Sequence, residues 1–167
     1  MPELATIVVR NGLWLIVPVM VWNVALAKRL PPAFAKQVFW ADIPRTIAIP
    51  ENLLRVALFA LPCVTVIGLD STHAIGLALF GVGLLAYFAS WIALIRAPES
   101  RWSRHAIGFM APAYTPALWL LGMALSSSAF VGDERVIRGL FLGLAAAFLG
   151  FHLAHVGLIH RRVTSPH

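Results

Sequence analysis

The chain has 167 residues, of which 60% are hydrophobic and only 12% charged, with a net charge of +6 and a mean hydropathy of +0.83. An ordinary soluble domain is about one quarter charged, so there are too few charges here to clothe a water-soluble surface of this size. The basic residues cluster at the ends of apolar runs, which is a pattern of membrane orientation and not of nucleic-acid binding, and the single cysteine, Cys63, excludes an internal disulfide.

Several apolar runs reach the roughly 20 residues that cross a bilayer. The expected fold is therefore all-α: a polytopic integral membrane helix bundle forming one domain, with five transmembrane helices over about residues 4–27, 50–69, 73–95, 106–131 and 136–159. The first run contains Pro18 and is closed by Lys28 and Arg29. Ala25-Leu26-Ala27 has the small-residue form of a signal-peptidase site. The basic region such a signal needs is reduced to Arg10, countered by Glu3, so an uncleaved first helix is expected.

Residues 28–50 are too apolar for a solvated loop and carry Pro31, Pro32, Pro44 and Pro50, so they cannot span. Phe34, Val38 and Phe39 share a helical face, with Lys36 and Gln37 off it, which suits an interfacial segment in the headgroup region, anchored by Trp40. A lid over a site is the sharper alternative.

Helix two is expected to start at Pro50, a residue that suits a first turn, with Glu51 complementing the helix dipole and Pro62 kinking the span. Asp70-Ser71-Thr72 offers a cap for helix three, which carries Gly76, Gly81 and Gly83 in its first half. Ser103 is a candidate cap for helix four. There Pro112 and Pro116 each remove a backbone donor, and such interruptions persist in membranes where protein or water meets the freed carbonyls.

Helix five carries small residues at Gly139, Gly143, Ala147, Gly150, Ala154 and Gly157. Their spacings of four and three place them on one face, a groove suited to close backbone approach. His152, Phe141, Phe148 and Ile159 fall on the opposite face, and His155 lies between the two. This helix is expected to sit at the centre of the bundle.

Basic residues are enriched in the first loop and its flanks (Lys28, Arg29, Lys36, Arg45, Arg55), in the third (Arg96, Arg101, Arg104) and in the tail (Arg161, Arg162). The alternation predicts an N-terminus outside and a C-terminus in the cytoplasm, in a bacterial inner membrane. With this topology, Asn23, Ser90, Trp91, Tyr114, Thr115, His152 and His155 fall at one level in the cytoplasmic leaflet, with Glu51 and Arg55 at its rim. Polar side chains in hydrocarbon usually face an interior or a cavity, so Asn23, Arg55, Ser90, Trp91, Tyr114, Thr115, His152 and His155 are the candidate ligand-binding residues.

His152 and His155 are close enough in sequence to reach one ion. No Asp or Glu is expected at their depth, and there is no cysteine cluster and no second deep histidine for haem, so no metal or cofactor is expected. Gly-x-Ser-x-Gly and phosphate-loop motifs are absent. In overall plan the chain resembles the five-helix tryptophan-rich sensory or translocator proteins, with similar length, many Trp and Pro and a long first loop. The tryptophan-proline signature of their second helix is missing, and no residue role is carried across.

Three functions remain open. The first is binding or transport of a small lipophilic or amphipathic molecule. The second is a membrane enzyme using a histidine general base on a lipid, weakened by the lack of a carboxylate partner. The third is a membrane-complex subunit or homodimer joined through Gly139, Gly143, Ala147 and Gly150.

Overall fold

The structure, a computed structural model, describes residues 4–129 and 132–164. Glu3, the predicted helix end at Val131 and the tail beyond residue 164 lie outside them. The chain is all-α in character, built on five principal helices: α1 (Leu13–Leu26), α2 (Arg45–Ala60), α3 (Ser71–Arg96), α4 (Pro116–Ser126) and α5 (Glu134–Thr164). Among the described residues three segments are long and apolar enough to cross a membrane: Arg45–Val64, Ser71–Arg96 and Glu134–Thr164. Helices α1 and α4 are shorter, with 14 and 11 residues.

The departures from the predicted helix boundaries have local causes. The run 4–27 is not one helix. It breaks after Val9 because backbone and side chains at 10–12 turn to a neighbouring segment: Arg10 O accepts from Ile67 N, Gly12 N donates to Thr65 O, and the Arg10 guanidinium donates to Ile67 O. Helix α2 begins at Arg45, behind an extended Pro44, so Pro50 lies inside it and not at its start. Pro62 does not kink a continuing span. It sits in a 3-10 turn, Leu61–Val64, that ends the helix, and the chain then forms strand β1 (Thr65–Ile67).

That strand pairs antiparallel with β2 (Ser127–Ala129), Val66 opposite Ser128, so the fourth helix stops at Ser126 and not at 131. The two prolines of this segment divide it into single turns, Ala106–Phe109 and Ala111–Tyr114, ahead of α4. Ser100, not Ser103, caps the turn that precedes them, accepting from Ser103 N.

Helix α3 starts where its cap signal predicts. The Asp70 carboxylate accepts from Thr72 N at 2.9 Å and His73 N at 3.1 Å. Hydrogen bonding from His73 holds its carboxyl below the ordinary aspartate range, so the cap contributes fully above that range and is lost only as pH falls below it, through the lowered value. His73 also ties the small sheet to α3, its Nε2 lying 2.9 Å from Ser128 Oγ.

Helices α3 and α4 pack backbone to backbone. A Cβ at Gly83 would collide with the Trp119 and Leu118 backbone, and one at Gly122 with that of Phe80. Helix α5 packs on α2 and α4 through Phe141, Ala145, Phe148, His155, Val156 and Ile159. Its small-residue face is not a packing surface within this chain. Gly139, Gly143, Ala147 and Gly150 are exposed, and a Cβ at any of these three glycines would meet nothing within 4 Å. The large residues of α5 bury far more apolar area than the small ones, so the helix turns that side to its neighbours and is open on the other.

Gly83→Val is expected to destabilise the protein by about 1–3 kcal/mol through overpacking, and Gly143→Val to leave the melting temperature in detergent unchanged. Scanning fluorimetry of the two variants checks both.

Candidate functional site

The site is assembled where α2 faces the last turns of α5. Glu51 is completely buried, 0% exposed. Its start at Arg45 gives α2 an extra turn ahead of Glu51, which therefore lies in the bundle and not at the rim. An unpaired carboxylate there would be strongly unfavourable. Oε1 instead lies 2.5 Å from the Arg55 guanidinium, one turn along the same helix, and 2.8 Å from His152 Nδ1. Oε2 lies 2.5 Å from His155 Nδ1. The expectation that no carboxylate shares the histidines' depth is therefore corrected.

His155, also 0% exposed, continues the network through Nε2, which donates to Phe39 O at 2.8 Å. Its ring is flanked by Phe39, tilted, and Trp40, edge-on, with centroids 4.3 and 4.7 Å away. Arg55 lies over the Trp40 and Phe148 rings, each centroid 5.7 Å away. The connection after α1 therefore folds onto the bundle. Phe34 is buried against Trp91 and Phe109, and the half-buried Trp40 touches His155 and Arg55.

Beside this cluster is a cavity of about 330 Å³, at the lower end of the size range of small-molecule sites. Its walls come from α1 (Val19, Asn23), α2 (Arg55, Phe59), α3 (Tyr87, Trp91), the proline-broken segment and α4 (Pro112, Ala113, Trp119), α5 (Phe148, His152, Val156) and the folded connection (Phe34, Phe39). His152 reaches it from the side opposite Glu51, and no bond is made by its Nε2 among the described residues. The Nε1–H groups of Trp91 and Trp119 are buried without an acceptor among the described residues.

Of the eight residues singled out from sequence, Asn23, Arg55, Trp91 and His152 line the cavity. His155 stands behind His152 as its link to the connection. Ser90 bonds back to Tyr87 O and Thr115 to Ala111 O, each within its own segment. Tyr114 is 39% exposed and lies outside the cavity. The tyrosine that serves it is Tyr87, whose hydroxyl donates to Asn23 Oδ1 at 2.8 Å. Tyr87 stands one turn before Trp91 on the same face of α3, a spacing that signals a shared face. Glu51 stands one turn before Arg55 in the same way.

Among the described residues no group of three His, Cys, Asp or Glu side chains is disposed to hold a metal ion. The arrangement can accept a proton at His152 Nε2, since a carboxylate on Nδ1 fixes the tautomer that leaves Nε2 open. It can also donate hydrogen bonds from two indoles and a guanidinium into an apolar space. No family model, curated protein or solved structure matches the chain.

Glu51→Ala leaves Arg55 and both histidines without their shared carboxylate, and is expected to destabilise the protein by about 3–5 kcal/mol. Tyr87→Phe should destabilise it by about 1 kcal/mol for the lost bond to Asn23, and Tyr114→Phe by nothing measurable. Melting curves in one detergent rank the three.

Proposed function

We propose that the chain is a five-span membrane protein that binds or transports a small lipophilic or amphipathic molecule in the cavity between α1 and α5. The charge alternation along the sequence supports an inner-membrane location with the C-terminus and the cavity on the cytoplasmic side. Helix α1 and the proline-broken segment with α4 supply the first and fourth spans. The observation that carries the reading is a partly open apolar space with Arg55 and His152 in its wall, both held by the buried carboxylate of Glu51 behind them. Such a combination, mostly apolar lining with a few convergent polar groups, is the usual composition of a ligand site.

A second reading, an enzyme acting on a lipid with His152 as general base, is favoured by the Glu51 carboxylate at 2.8 Å from His152 Nδ1, the partner such a base needs. The outward groove at Gly139, Gly143 and Gly150 is the place for a membrane partner or a second copy of the chain.

Filling the space separates the first reading from an empty packing defect. Ala113→Leu, at a buried cavity-lining position, is expected to preserve the fold while abolishing retention of a small amphipathic molecule that copurifies with the wild-type protein. Mass spectrometry of solvent extracts from the two preparations is the measurement. Identical extracts would remove the cavity from any functional account.

A further inference from the structure

Counting hydrogens in the cluster around the buried Glu51 and His155 gives its charge. Phe39 O is a carbonyl and accepts only, so His155 Nε2 carries a hydrogen. One more hydrogen lies between His155 Nδ1 and Glu51 Oε2. If it belongs to the histidine, a carboxylate faces an imidazolium. If it belongs to the glutamate, both groups are neutral. In either case Glu51 and His155 together sum to zero.

His152 Nδ1 donates its hydrogen to Oε1, and with Nε2 free of hydrogen this residue is neutral. Arg55 then remains, and arginine is always charged. The four residues therefore hold at least one net positive charge at the edge of the cavity, and the count rises to two if His152 Nε2 is also protonated.

The rest of the wall agrees in sign. Trp119 is 4% exposed and lines the cavity, and its Nε1–H has no acceptor among the described residues, nor has that of Trp91. The Tyr87 hydroxyl hydrogen is already given to Asn23. The cavity thus offers unmatched donors beside a surplus cation, within walls that are mostly aromatic and apolar. A cationic head would be repelled, and a neutral head would gain nothing from the surplus charge on the half-buried Arg55.

We propose that the cavity takes a lipophilic monoanion: one carboxylate, or a chemically equivalent singly charged head, on an apolar tail, with the head against Arg55, His152 and the two indole N–H groups. This rests on the reading of the cavity as a ligand site and adds the charge of the ligand's head.

The test uses three probes with the same tail: decanoate, decanol and decyltrimethylammonium, titrated into the full chain in an uncharged maltoside detergent while thermal unfolding is followed. Decanoate is expected to raise the melting temperature at a concentration at least about tenfold lower than decanol, and the ammonium not at all. Equal action of decanol and decanoate, or stabilisation by the ammonium, overturns the charge assignment while leaving the cavity reading in place. Stabilisation by none of these probes, and by neither phosphatidylglycerol nor phosphatidylcholine, overturns both.

Trp119→Phe removes the N–H together with the five-membered ring, so the decanol response measures the packing change and the decanoate-to-decanol ratio measures the N–H. It should weaken decanoate several-fold more than decanol, and an unaltered decanoate-to-decanol ratio removes the Trp119 indole from the anion site. Phosphatidylglycerol against phosphatidylcholine distinguishes the source of the anion. A shift with the former, absent with decanoate, keeps the negative head and assigns it to a membrane lipid.

Discussion

One buried carboxylate ties α2, α5 and the connection after α1 together. Glu51 has no contact with solvent, and a charge so placed is tolerated only where its partners are close and well oriented. Those partners are Arg55 on its own helix and two histidines one turn apart on α5. Because the two oxygens of a single group are divided between His152 and His155, α2 and α5 can neither slide nor rotate past one another without stranding a polar group. The bond from His155 to Phe39 O extends the same constraint to the connection after α1. A segment with the composition of an interfacial strap is thereby folded against the bundle.

The opposite wall is held by a different principle. Helices α3 and α4 approach until their backbones touch at Gly83 and Gly122, so dispersion and close packing replace polar ties. This pair presents Tyr87, Trp91 and Trp119 as a rigid aromatic surface. The cavity lies between the pair joined by glycine contact and the pair joined by the carboxylate. The prolines at 112 and 116 contribute to the gap: the segment is divided into short turns, and Pro112, Ala113 and Pro116 form part of the cavity wall.

Much of the plan was legible in the residues. The helical class, the Asp70 cap of α3 and the face of α5 carrying Phe141, Phe148, His152 and Ile159 all follow from composition, capping chemistry and periodicity within one helix. Tyr114 and Tyr87 show where that reasoning runs short. Both lie in apolar segments, and depth estimated along a helix axis does not distinguish them. Their roles are separated by rotation about the axis, which places Tyr87 against Asn23 and turns Tyr114 outward.

What the amino-acid order determined by itself is therefore a set of apolar helices with known faces, in a chain too poor in charge for a water-soluble surface. Tertiary packing settled which faces meet. It drew Glu51 inside, because α2 begins at Arg45 behind Pro44 instead of at Pro50, and it left the small-residue side of α5 uncovered. Periodicity describes one helix at a time, whereas the partner of a buried carboxylate 101 residues away in sequence depends on the register and rotation of two helices together.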